Sequence, residues 1–462
     1  MKLIYDVVDR PTPLKIVTLA FQQILAILAA TVAMPLIVGN GISFEAAMFG
    51  AGAGTIVYLL LSRRKSPILL GSSMSYIGSM FAAFAGAASA ASGMAGIILG
   101  AVFAGLIYVV LALVVKKTGV GWIDRFMPPA VIGPVVSVIG LSLASTAVDS
   151  LKKGNVMTVT ADGEMLPVTS EYIAILCGLV TLAVTILASV HGSKNLKLLP
   201  FLTGMCGGYL LAAVLTVAGI VTGIEKLQVI NFNVFSDIML KEGRLSLSSF
   251  VSLPDFTFIK AVDGIKELKL SYVITVFSAY VPVSFVSFAE HIADHKNMSL
   301  IINRDLLKEP GLHRTLLGDG LGSIVGAFFG GCPNTTYGES IACVALSGNA
   351  SVITIFAAAA GCMLLSFLTP LVALLNTVPD CVMGGICLTA YGFIAVSGLK
   401  MLKKVDLEDV GNIYTCSVIL IAGIGGLSIS FGSAVITPIA TSLILGILTN
   451  LLVSGKKKKK DI

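Results

Sequence analysis

From Thr315 through Leu399 the chain carries no Lys or Arg, and most residues in that stretch are Leu, Ala, Gly, Val or Ile. So long a run without a basic residue constrains the fold more than any motif does. In a bilayer no water pairs with backbone N–H and C=O groups, so only helices and closed barrels cross it. Apolar runs of about 20 residues joined by short polar links point to helices. The composition agrees, with 56% hydrophobic residues, 12% charged residues and 48 glycines in 462 positions. Small residues at that density suit close helix–helix packing in lipid.

Fourteen apolar stretches can be placed between 15–38 and 432–453, and polar residues interrupt the third (67–88) and the tenth (337–348). The run at 15–38 is too long for a signal-peptide core and lacks a small-residue cleavage site, so it is expected to be retained. Of the 31 Lys and Arg, 23 lie at the termini or after even-numbered stretches, and the other eight lie in the loops 148–169 and 222–269. By the positive-inside rule, the N-terminal 1–14 and the basic tail 454–462 face the cytoplasm. The net charge of +6, including the run Lys456–Lys460, is thereby read as orientation and not as affinity for nucleic acid. The eight cysteines form no CxxC pair, so neither a zinc site nor a disulfide framework is expected.

The chain also repeats itself. Pro128-Pro-Ala-Val131-Ile-Gly133 opens the fifth stretch and Pro379-Asp-Cys-Val382-Met-Gly384 opens the twelfth, 251 positions later. The break Ser72-Ser-Met-Ser-Tyr76 mirrors Thr335-Thr-Tyr-Gly-Glu339. Seven spans per copy is odd, so the second copy is inverted. The units are 15–221 and 270–453, with 222–269 as an extracellular loop expected to pack on the outer surface. Inverted repeats with matching interrupted helices mark the midplane site of a secondary transporter.

Four acids lie in or beside spans of the second copy: Glu290, Asp294, Asp319 and Glu339. Ionisable groups at that depth usually belong to a substrate or proton path. Glu290 and Asp294 are four apart and share one helix face. Two such carboxylates, partly desolvated, are unfavourable when both are charged, and this suits proton coupling. Extended backbone at Ser72–Tyr76 and Tyr337–Glu339 would leave N–H and C=O groups outside a helix ladder. Set side by side, the two breaks can pair and still offer donors to a ligand. That chemistry fits a small, flat, polar ring on which Tyr337 or Tyr76 could stack. A rival constellation is His291-x-x-x-His295, spaced as metal ligands can be. It lacks a third strong ligand cluster and the HExxH order, so no metal is expected.

At these residues the chain resembles the nucleobase–ascorbate (nucleobase–cation symporter 2) family, and within it the bacterial uracil permeases. The likeness is carried by Ala289-Glu-His-Ile-Ala-Asp294, by Asn303 to Arg314 and by Pro333-Asn-Thr-Thr-Tyr-Gly-Glu339. Gln22-Gln23 is similar to the family's Gln-His pair, and Gly71-Ser-Ser-Met-Ser-Tyr-Ile77 to its Gly-Ser-Ser-Phe-Ala-Phe-Ile. The resemblance implies an all-α membrane protein of fourteen spans in two inverted repeats. Spans 1–4 and 8–11 would form a core and spans 5–7 and 12–14 a gate, with short strands in spans three and ten, in a homodimer. It implies that Glu290 and Glu339 bind the base, with Ser73, Met74, Tyr337 and Gly338 completing the pocket. Glu290, Asp294 and Asp319 would handle the coupling proton, and Gln23, Thr336, Asn334 and Tyr76 would support the site. No cofactor is implied beyond the proton.

The departures are informative. Gln23 replaces a frequent histidine and Met74 a phenylalanine. Asp294 and Asp319 look like the xanthine and urate carriers, whereas Glu339 is the uracil-type residue. The sequence therefore predicts proton-coupled nucleobase uptake across the cell membrane, with uracil first and xanthine or another oxopurine behind it. An anion carrier or channel of the same 7+7 architecture is the alternative from another class. No nucleophile–base motif indicates an enzyme.

Overall fold

Prolines and glycines set where the helices begin and end. The first helix, α1 (Pro13–Val38), has a proline in its first turn and stops at Gly39, whose φ is 63°. Both choices follow from a proline's fixed φ and a glycine's freedom at positive φ. A computed structural model describes residues 3–119, 128–159, 165–193, 196–240, 244–431 and 434–457. Arg125, Lys194 and most of the basic run 456–460 lie outside the described residues.

After α1 come α2 (Phe44–Leu61), β1 (Leu70–Ser72), α3 (Ile77–Ala85) and α4 (Ala90–Thr118). They are followed by α5 (Pro129–Ser142), α6 (Ala144–Leu151), the hairpin β2 (Met157–Val159) and β3 (Met165–Pro167), then α7 (Glu171–Val190) and α8 (Pro200–Thr222). Two short helices, α9 (Asn233–Met239) and α10 (Thr257–Ala261), lie in the long loop. The second half contains α11 (Leu270–Ile302), α12 (Leu312–Gly330), β4 (Asn334–Thr336), α13 (Gly338–Ser347), α14 (Val352–Leu365) and α15 (Thr369–Asn376). It ends with α16 (Asp380–Leu402), α17 (Val410–Ile424), the hairpin β5 (Ile429–Phe431) and β6 (Ala434–Ile436), and α18 (Pro438–Lys457). Among the described residues, eight helical stretches are long and apolar enough to cross a membrane, and shorter apolar helices accompany them.

Elements that correspond in the two halves pack on each other: α2 on α12, α5 on α16, and β1 on β4. This is the pairing an inverted repeat produces. Close approach of α2 and α12 depends on glycine. A Cβ on Gly50 would sit 2.4 Å from the Gly326 carbonyl oxygen, and one on Gly54 2.5 Å from that of Gly322. By their contacts, helices α1–α4 and α11–α14 pack mainly with one another, and α5–α8 with α16–α18 do likewise; the first group is called the core and the second the gate.

Several details differ from the sequence reading. The eighth span does not stop at 293, because α11 continues to Ile302 and ends at Asn303, a left-handed cap with φ of 54°. Asp294 and both histidines therefore lie within the helix. The eleventh stretch divides into α14 and α15, since Pro370 cannot continue a helix already turned at Ser366–Leu368. The fifth stretch likewise divides into α5 and α6. The last two stretches are separated by the β5–β6 hairpin, entered through Gly425-Gly426. The extended segments that meet are Leu70–Ser72 and Asn334–Thr336, slightly earlier than 72–76 and 337–339. Met74–Tyr76 already turns as a 3-10 helix, and Gly338 already starts α13.

The long loop packs against both groups. The Ser170 N–H donates to Lys226 O, and those of Val229 and Ile230 to the Thr216 hydroxyl, on the gate side. On the core side, Ser252 N–H donates to Phe367 O, and Phe256 packs edge-on against Phe49 and Phe329.

Candidate functional site

Two strands of three residues each would leave most of their polar backbone unpaired in lipid. Here each supplies the other's partner. Leu70 faces Thr336, Gly71 faces Thr335 and Ser72 faces Asn334 in an antiparallel ladder, and the Ser73 N–H extends it to Pro333 O at 2.9 Å. Helices α3 and α13 depart from this crossing, each with its N-terminus at the ladder. The positive dipole ends of α13 and of the 3-10 turn Met74–Tyr76 that leads into α3 thus converge at one place. Gly71 is needed where it stands, since a Cβ there would lie 2.7 Å from the Tyr337 ring.

A cavity of about 270 Å³ opens beside the ladder. The core contributes Ser73, Met74 and Ser75, then Glu290 and Asp294 from α11, and Thr335 through Glu339. The gate contributes Phe201 from α8 and Ala390, Phe393, Ile394 and Ser397 from α16. Three half-buried carboxylates, Glu290, Asp294 and Glu339, therefore share one space, and among the described residues no Lys or Arg lines it. Ser75 Oγ donates to Glu290 Oε2 at 3.2 Å, and Thr336 Oγ1 donates to Asp294 Oδ2 at 2.8 Å. Glu290 and Asp294 are thus each oriented by a hydroxyl from a different interrupted span. A site with three carboxyl groups and no Lys or Arg among its described lining favours N–H donors and protons and disfavours anions. Gly338 is open to the cavity, and a Cβ there would meet nothing within 4 Å.

The other residues singled out from sequence lie around this cavity and not on it. Asp319 is buried in α12, where its Oδ2 is 2.6 Å from His291 Nδ1, and its Oδ1 has no partner among the described residues. It borders a smaller void behind the ladder, together with Tyr108 and Asn334. Asn334 Nδ2 donates to Gly50 O at 2.9 Å. Tyr76 stacks on Tyr280 with centroids 5.6 Å apart and donates to Ser284 Oγ, so its ring is not available to a ligand in the cavity. Tyr337 does line the cavity. Gln23 Nε2 donates to Ser340 O at 3.3 Å, which ties α1 to α13.

His291 and His295 stack with ring centroids 4.0 Å apart, and protein partners occupy all four nitrogens. His291 meets Asp319 and, at 3.0 Å, Thr315 Oγ1. His295 meets His291 O and, at 2.8 Å, the Tyr58 hydroxyl. This arrangement anchors α11 to α2 and α12.

Sequence reasoning missed the gate wall of Phe201, Ala390, Phe393, Ile394 and Ser397. These residues sit in ordinary apolar stretches, and only the packing of gate on core brings them to the ligand space. The serine at 397 was the one local signal, a polar residue in an otherwise apolar turn.

A family model described as "Permease family" matches residues 14–431. The chain is 34% identical over 460 residues to the uracil permease of Bacillus subtilis, covering 98% of this chain and 95% of that one. It is 35% identical to the uracil permease of Bacillus caldolyticus, covering 100% and 97%, and 31% identical to that of Escherichia coli K12, covering 96% and 92%. Among solved structures, it is similar to murine Slc26a9, an anion transporter in the inward-facing state. The TM-score there is 0.64 at 10% identity, covering 97% of this chain and 70% of that one. The transmembrane domain of the cyanobacterial bicarbonate transporter BicA matches with TM-score 0.54 at 16% identity, covering 96% and 98%. At those identities the two structures speak to the fold alone. The family match and the near full-length identities are of another order, and by them this multi-pass membrane protein belongs to the permease family of nucleobase–ascorbate transporters.

Proposed function

We propose that the protein imports a nucleobase, uracil first, together with protons. The observation that carries this reading is the cavity at the core–gate seam, where Glu290, Asp294 and Glu339 share one space with the backbone of Ser73–Ser75 and Tyr337–Gly338. A uracil ring offers alternating N–H and C=O edges. Its N–H groups are donors for Glu290 and Glu339, its carbonyls are acceptors for backbone N–H at the two helix starts, and Tyr337 or Phe393 covers a face. The relatives named as uracil permeases add weight to uracil over xanthine.

The proton is carried by Glu290 and Asp294 in the cavity, with Asp319 behind it. Core (spans 1–4 and 8–11) and gate (spans 5–7 and 12–14) move against each other around the site in alternating access. Glu290 and Asp294 on α11 and Phe393, Ile394 and Ser397 on α16 lie in the halves that lead to Lys296 and Lys400, and Phe201 follows Lys197 by four residues in the sequence. With the lysine-rich ends and both termini in the cytoplasm, the cavity is that of an inward-facing carrier. The functional unit is a homodimer, and no cofactor beyond the proton is required.

The test is radiolabelled uracil uptake into proteoliposomes with and without an inward proton gradient, with xanthine as competitor. Gradient-driven uracil accumulation that excess xanthine leaves unchanged is expected. Strong competition by xanthine would make the site an oxopurine pocket, and sulfate or bicarbonate flux without uracil uptake would replace the reading with an anion path.

A further inference from the structure

A second groove, of about 530 Å³, runs between α11 of the core and α18 of the gate, away from the carboxylate cavity. Ile274, Phe277, Val281 and Phe285 form one wall, Ala440 and Ile444 are on the other, and the walls present no polar surface. Among the described lining residues the one polar side chain is Ser278, whose hydroxyl lies within hydrogen-bonding distance of two carbonyls, Val435 O at 2.6 Å and Thr275 O at 2.8 Å. Val435 N–H in turn donates to Thr275 Oγ1 at 3.0 Å. Strand β6 is thereby clamped along α11, and it separates this groove from a more polar recess on its far side, lined by Lys269, Ser271 and Thr437. Ile274, Phe277 and Ile444 are 46%, 47% and 47% exposed on apolar spanning helices, so the groove opens sideways toward the bilayer.

We propose that an acyl chain of a membrane phospholipid occupies this groove as a wedge between core and gate. Water has no partner there, because apolar cavities of this kind stay dry. Left empty, the walls lose their dispersion contacts. Hydrocarbon is the surrounding medium at that depth and satisfies both conditions. Because one wall belongs to the core group and the other to the gate group, the chain sits where any movement of gate against core changes the groove's width. Membrane composition thereby acts on the conformational equilibrium without touching the carboxylate cavity.

The experiment uses the full chain in liposomes that contain a phospholipid with a photoactivatable diazirine in one acyl chain, followed by peptide mass spectrometry. Adducts are expected on 274–285 and 436–447 at several times the yield found on 210–217 of α8, where Leu210, Val214 and Val217 are at least as exposed. Val281→Trp, which fills the groove from the lipid side, should bring 274–285 and 436–447 down to the 210–217 yield while leaving 210–217 itself unchanged. Ile444→Trp on the opposite wall gives the same reading if the first variant does not reach the membrane. Equal labelling of all three regions in the wild type would overturn the proposal. So would undiminished labelling in the filled variants, or chain-to-chain cross-links at these positions, which would make a second copy the occupant.

Discussion

Thr336 Oγ1 donates to Asp294 Oδ2 at 2.8 Å, so the last residue of β4 holds a carboxylate of α11 one turn beyond Glu290. The bond ties an interrupted span to the helix that carries two of the cavity's three acids. Thr336→Val keeps the shape and removes the donor. A hydrogen bond to a charged group contributes about 1.5–3 kcal/mol. Half-maximal uracil uptake should therefore shift to a concentration about tenfold or more higher, and Thr336→Ser should retain near wild-type affinity. Equal losses in the two variants would assign Thr336 to packing instead.

Glu290 is the acid with the most direct claim on both ligand and proton, since it lines the cavity and Ser75 orients it. Glu290→Gln preserves size and one acceptor oxygen but cannot exchange a proton. Gradient-driven accumulation should fall by roughly a hundredfold, in line with about 3 kcal/mol for a lost charge-assisted contact. The protein should remain in the membrane at normal levels. Wild-type accumulation in this variant would remove Glu290 from the coupling step.

Two glycines give opposite expectations from the same substitution. In Gly338→Ala the new methyl meets nothing within 4 Å and points into open cavity. Folding should be unaffected, while uracil uptake drops because the methyl takes ligand space. In Gly71→Ala the new Cβ lies 2.7 Å from the Tyr337 ring, which must shift. Overpacking of that kind costs about 1–3 kcal/mol, and thermal unfolding in detergent should register it. Destabilisation by Gly338→Ala would contradict the geometry.

How much of this was legible in the sequence depended on whether the signal was local. The apolar run without Lys or Arg from Thr315 to Leu399 and the paired Pro-initiated motifs revealed helices and a repeat, because hydropathy and helix starts are written residue by residue. Ser72–Tyr76 and Thr335–Glu339 gave the two interruptions. Their strands fall at 70–72 and 334–336 because ladder pairing, a long-range property, sets the register. Asp319 shows the limit from the other side. Its charge was visible, but not that His291 would claim one of its oxygens behind the ladder. Phe201 and Phe393 carried no local mark and reach the cavity only through the packing of gate on core.

Glu339 carries the specificity expectation. It lines the cavity at the first turn of α13, which leaves the antiparallel ladder from the end opposite to Met74. Glu339→Gln exchanges a pure acceptor for a side chain that also donates. Preference should move away from uracil, with xanthine becoming the stronger competitor in uptake assays. An unchanged substrate profile would make Glu339 structural.

Asp319 and His291 are fully buried, and their contact at 2.6 Å joins α12 to α11. His291→Ala leaves both carboxylate oxygens of Asp319 without the ring and removes the tie to Thr315. Breaking a buried pair by removing one partner costs about 3–5 kcal/mol, so a marked drop in the thermal midpoint in detergent is expected. Asp319→Asn keeps a hydrogen-bonding group of the same size opposite His291 and should lose much less. That variant also separates structure from coupling. With the fold retained, an Asp319 that carries the proton predicts loss of gradient-driven accumulation while uracil exchange without a gradient persists. Accumulation at the wild-type level in Asp319→Asn would confine Asp319 to holding α12 against α11.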